Sequence, residues 1–182
     1  MKKPSKAAHD PHEIFLHAFH FHESDHRLRN SISTKDPNQV ALIAHPSMVL
    51  SVFASELYLK CLLCIETDKV PRGHDLKGLF LRLNLSTRKR LEDLWDESLR
   101  RPERQRELNC IRGLPEGDRL QSDLLYILGI GANAFEELRY LYETKRSYFL
   151  LHNFPDMLQK VILEKRPSWG IVPPAQNIIR VP

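Results

Sequence analysis

Histidine is the residue type to ask about first, because six of the nine lie within the first 26 positions. Residues 22–26 spell His22-Glu23-Ser24-Asp25-His26, a literal H-E-x-x-H. On a helix this spacing sets two imidazoles four residues apart on one face, where they can share a zinc ion with a carboxylate beside the bound water. Asp25 and Arg27 put charge where the helix of a zinc protease is apolar, and no G-x-x-H continuation follows. We therefore read His17, His20, His22 and His26 as the edge of an amphipathic helix. Metal binding by this His-rich face stays open, and no cofactor or catalytic metal is expected.

Cys61-Leu62-Leu63-Cys64 has C-x-x-C spacing but sits among leucines with no second pair, so buried apolar thiols are expected. Three cysteines are too few, and odd in number, for a disulfide framework in 182 residues, which points to a reducing compartment, the cytoplasm. The basic N-terminus is followed by no apolar signal region, and no stretch approaches membrane-spanning length, so no membrane partner is expected. P-loop, G-x-G-x-x-G and G-x-S-x-G patterns are absent. The net charge of +4 permits nucleic-acid contact without demanding it. Arg88, Lys89 and Arg90, with Arg100, Arg101, Arg104 and Arg106, form either a phosphate-binding surface or a solvated basic face.

The elements that would position these groups read as helices. Hydrophobic residues make up 42% of the chain and glycines number only 7, while the apolar segments are long rather than short and alternating. Residues 1–9 are expected to form a flexible basic tail, residues 10–166 a helical domain, and residues 167–182 an extended Pro-rich tail. Within the domain, Asp10 and Pro11 open a helix to about residue 29, and Pro46 opens a nearly all-apolar one to about 67. Further helices are expected over 74–83, over 86–99 behind a Ser86 cap, over 121–144, and from Pro155 to Lys165. The charged run Arg100 to Glu107 reads as part of a long connection, and residues 30–44 cannot be placed.

Three stretches carry a resemblance. Ala54-Ser55-Glu56-Leu57-Tyr58-Leu59-Lys60-Cys61-Leu62-Leu63 is followed by Gly73-His74-Asp75-Leu76-Lys77-Gly78-Leu79-Phe80. Together these resemble the A-x-E-x-x-L-K-x-L-L helix and H-D-L-x-x-L-F segment of the HEPN superfamily. Ala134-Phe135-Glu136-Glu137-Leu138-Arg139-Tyr140-Leu141-Tyr142-Glu143 is similar to the F-x-x-x-R-Y-x-Y-E ending of some members. The resemblance implies an all-α up-and-down bundle of four to six helices that forms a homodimer. It also implies a link to RNA, either as a metal-independent endoribonuclease of a toxin–antitoxin or defence system, or as a non-catalytic module. The module would pair with a nucleotidyltransferase, an antitoxin or itself.

Catalytic members carry an Arg, four to six intervening residues, then a His, and Arg146 with His152 is the match here. The resemblance assigns His152 proton transfer at the RNA 2′-hydroxyl, and Arg146 the charge of the phosphorane. A six-residue step leaves two side chains about 120° apart on a regular helix, so convergence needs an irregular backbone or a dimer partner. Glu56 and Lys60 are the only charged residues between Met48 and Ile65, in the favourable i,i+4 order. They are expected to form a partly buried cluster with Arg139, either fixing helix register or retaining a phosphate site.

Overall fold

The computed structural model describes residues 9–31, 36–112, 121–130 and 151–170. Among these, helix accounts for 81% and no strand occurs, so the chain is all-α. Helix α1 spans Pro11–Asn30, and its start is set locally: the Asp10 carboxylate accepts from the His12 amide at 2.9 Å while Pro11 fills the first turn. Helix α2, Pro37–Thr67, opens with the same device, Asp36 accepting from the Asn38 amide at 2.9 Å behind Pro37.

Two expectations about α2 are corrected. It begins at Pro37 rather than Pro46, and Pro46 lies inside it, where one backbone hydrogen bond is lost. Beside that break, the buried Ser47 hydroxyl donates to Asp25 of α1, whose fully buried carboxylate also pairs with Arg29 at 2.8 Å. This polar contact couples α1 to α2 where the helix ladder is weakest. Second, Asn38–Thr67 is long and apolar enough to cross a membrane, contrary to the expectation that no stretch approaches that length. Within the fold, 61% of its most apolar window is buried against other helices. At its end, Asp68 takes left-handed geometry (φ 55°), and its amide bonds to the Cys64 carbonyl at 2.9 Å.

Helix α3 covers Leu76–Leu81 and α4 covers Leu85–Leu99. Asn84, not Ser86, precedes α4, and its amide donates to the Glu66 carboxylate of α2 at 2.8 Å. Helix α5, Pro102–Arg112, corrects the reading of this charged run as a connection. Pro102 suits a first turn, and Leu108 and Arg104, each 2% exposed, bury one face despite the surrounding charge. Helix α6 is described over Leu124–Ile130, behind an Asp123 carboxylate that accepts from the Tyr126 amide at 2.8 Å. The remainder of the helix expected over 121–144 lies outside the described residues. Helix α7 is Phe154–Lys165. Pro167–Gly170 then forms a 3-10 turn instead of starting an extended tail. Its Trp169 ring packs 4.9 Å from His12 and 5.5 Å from Phe15, so packed structure continues past residue 166.

Helix α2 is the centre of the bundle, with α1, α3 and α7 packed on it, α4 on α7 and α6 on α3. Phe15, Tyr58, Leu62, Trp95, Phe154 and Leu158 anchor one continuous core. Side chains of this kind contribute about 1.5–3 kcal/mol each when fully buried.

Candidate functional site

His152 stands in the turn that leads into α7, half-buried. Arg104 of α5 brings Nη1 to 3.4 Å from its Nδ1 and 3.5 Å from its Nε2. The Arg104 guanidinium is itself held: it lies 5.3 Å from the Trp95 ring centroid, and the Trp95 indole donates to the Ser122 carbonyl at 2.8 Å. A cleft of about 360 Å³ between α4 and α7 is lined by Asn153, the residue after His152. Leu94 and Met157 give it an apolar floor, while Ser98, Arg101, Asn153, Asp156 and Lys160 supply polar walls. Arg101 and Lys160 are exposed, so their charges are accessible to an anion.

The sequence pairing of His152 with Arg146 falls partly outside the described residues, which do not include Arg146. Arg104 belongs to the basic group that reads from sequence as a solvated or phosphate-binding face, and its burial corrects the solvated reading for this residue. The other members of that group also separate. Arg90 makes a two-point contact with Glu164 of α7, which holds the Glu164 carboxyl below its usual range. Arg106 pairs with Glu103 at 3.5 Å. Of the basic residues singled out from sequence, Arg101 lines the cleft.

In the second expected cluster, Lys60 Nζ lies 2.7 Å from Glu56 Oε1, and Glu56 is 5% exposed. His74, from the loop before α3, places Nδ1 2.9 Å from the same oxygen. Arg139 lies outside the described residues. His74 was missed as a partner, although it sits in the G-H-D-L stretch that carries part of the family resemblance.

A third constellation joins α1 to α7. The Nε2 atoms of His22 and His26 lie 3.0 Å apart, and each is 3.3 Å from Asp156 Oδ1. Behind His22, the Tyr58 hydroxyl lies 3.4 Å from its Nδ1. Burial, then the Asp156 charge and Cys61, push Tyr58 far above the ordinary phenol range, so it stays neutral. Burial also acts upward on Asp156, but the hydrogen bond from His22 and the cationic influence of His22, His26 and Arg29 outweigh it and favour the carboxylate. Glu23, the acid of the H-E-x-x-H run, instead pairs with Arg27 at 3.0 Å. These three ligands are the group among the described residues arranged to hold a metal ion.

Cys61 and Cys64 are free and buried, donating to the carbonyls of Pro11 at 3.3 Å and His9 at 3.6 Å. Burial pushes the Cys61 thiol up to about 12 and raises Cys64 as well. Such thiols are poor nucleophiles and packing groups. Comparison with protein-family models, curated proteins and solved structures yields no match to this chain.

Proposed function

We propose that this is a cytoplasmic HEPN-like bundle protein that cleaves RNA without a metal, as one half of a toxin–antitoxin or defence pair. The observation that carries the reading is His152 held against a guanidinium and followed in the chain by Asn153, which lines a cleft together with Arg101 and Lys160. In the proposed reaction, His152 takes the proton of a ribose 2′-hydroxyl, and the 2′-oxygen attacks the adjacent phosphorus. The phosphorus–5′-oxygen bond breaks, and the leaving oxygen takes a proton from water, giving a 2′,3′-cyclic phosphate and a free 5′-hydroxyl. Arg101 and Lys160 neutralise backbone phosphates, and Arg146 supplies the cation for the phosphorane. Arg104 is too buried to meet substrate and acts as a positioning residue, its Nη1 packed 3.4 and 3.5 Å from the two ring nitrogens of His152.

Single-stranded RNA incubated with the protein in EDTA should be cut, and Arg146→Ala or His152→Ala should each abolish cutting. Arg101→Ala with Lys160→Ala should weaken RNA binding and lower its salt dependence. Cleavage that survives both Arg146→Ala and His152→Ala, or that requires zinc, would remove the proposed site. A second reading is a non-catalytic HEPN-like module working through a nucleotidyltransferase partner, an antitoxin or a homodimer. The exposed Leu81, Leu85 and Ile130 favour it, since apolar side chains of this size contribute little to the fold from outside. Absence of cleavage together with a dimer in light scattering would select that reading.

A further inference from the structure

The geometry points to a divalent transition-metal site, zinc foremost, formed by His22 and His26 of α1 with Asp156 of α7. The argument begins with the spacing of the donor atoms. A tetrahedral zinc bonds imidazole nitrogen and carboxylate oxygen at about 2.0–2.2 Å, which puts neighbouring donors roughly 3.3–3.5 Å apart. The three donor–donor distances here are 3.0, 3.3 and 3.3 Å. One ion can therefore sit about 2 Å from all three with only small side-chain adjustments.

The chemistry of the donors agrees with the spacing. Two Nε2 atoms and one carboxylate oxygen converge on a single point, and such a triangle is filled either by shared protons or by a cation. Two imidazoles and one carboxylate suit zinc, cobalt or nickel better than calcium or magnesium, which take mainly oxygen. Ligation through Nε2 leaves the His22 Nδ1–H to donate to the Tyr58 oxygen, the outer contact that usually fixes the tautomer of a ligating histidine. Tyr58 is fully buried, so its hydroxyl gives the His22 ring a fixed partner. The nearby Arg29 cation is already paired with Asp25 at 2.8 Å, which limits its repulsion of an incoming ion.

Access and architecture also fit. The His26 and Asp156 side chains are 41% and 47% exposed, so an ion can enter and a fourth position faces solvent. Asp156 also lines the cleft between α4 and α7. The site bridges the first and last described helices, and bound metal would cross-link α1 to α7 over the surface of α2. Glu23 is turned to Arg27, so the site lacks the general base that the H-E-x-x-H pattern would need for hydrolysis. It is a metal-binding site that braces the bundle.

The test uses the full chain, free of any affinity tag and stripped by chelator. Cobalt(II) is titrated and followed by its visible ligand-field bands, and zinc affinity is measured by competition with a chromophoric chelator. One equivalent should bind, and zinc should raise the melting temperature. His26→Ala and Asp156→Asn, both at half-exposed positions, should each weaken binding at least about tenfold, the scale of loss reported even for outer partners. Both should also abolish the zinc-induced rise in melting temperature. His17→Ala with His20→Ala, on the exposed face of the same helix, should change neither. Undiminished binding in His26→Ala and Asp156→Asn would overturn the proposal, as would loss of binding in the His17/His20 double variant.

Discussion

Glu56→Ala removes the carboxylate that both Lys60 and His74 approach, from a side chain that is only 6% exposed. Removing one partner of a buried ion pair costs about 3–5 kcal/mol, because the other charge is left without compensation. The Lys60 side chain is 13% exposed, so its ammonium can slide partly into water and recover some of that cost. The expected loss is therefore about 2–4 kcal/mol, or roughly 4–16 °C in melting temperature for a domain of this size. Glu56→Gln keeps an acceptor for both neighbours and should cost less, about 1–2 kcal/mol. The joint replacement Glu56→Leu with Lys60→Met removes both desolvation penalties, so it should fall within about 1 kcal/mol of wild type. Urea denaturation reads all three, provided the slope with denaturant stays constant. A Glu56→Ala protein within about 0.5 kcal/mol of wild type, or a joint variant worse than the sum of its single changes, would refute the reasoning.

Glu66→Ala should cost about 2–4 kcal/mol in the same assay, since this 3% exposed carboxylate accepts from Asn84 and Thr87 at the start of α4 and pairs with Lys165 of α7. In the folded protein, neither Cys61 nor Cys64 should be alkylated by iodoacetamide at pH 8, whereas both should label in denaturant. With the Cys61 thiol pushed to about 12, roughly one molecule in ten thousand carries a thiolate there. Peptide mapping by mass spectrometry distinguishes the outcomes, and rapid native labelling of Cys61 would show that its surroundings open.

The all-α character was legible in the sequence because long apolar segments follow helical spacing. Helix boundaries were legible where a local device sets them, as at Asp10-Pro11. The same Asp-Pro device at Asp36-Pro37 was passed over, because polar residues follow it and Pro46 offers a competing start. Helix α5 was hidden for a different reason. Its buried face is made partly by Arg104, whose guanidinium lies over the Trp95 ring, and no hydrophobic pattern registers a cation used this way. The sites divide along the same line. Spacing within α1 showed that His22 and His26 share a face, but nothing local links them to Asp156, which arrives through the packing of α7. His74 reaches Glu56 across a turn whose path depends on α3 docking. Contacts between distant segments are settled by tertiary packing, and one sequence carries no direct signature of them.

The length and greasiness of α2 have a consequence in time. Its cover is assembled from segments made far apart: α1 leaves the ribosome before it, whereas α7 follows only after the chain from Thr67 to Phe154 has been synthesised. At ~5–20 residues per second that interval lasts roughly 4–17 s. Throughout it, the stripe of α2 that α7 will occupy has no permanent neighbour, and the helix has the dimensions of a membrane anchor. The nascent chain thus presents an uncovered apolar stripe, the kind of surface that chaperones shield, until α7 emerges. Truncation before Phe154 would extend that exposure indefinitely.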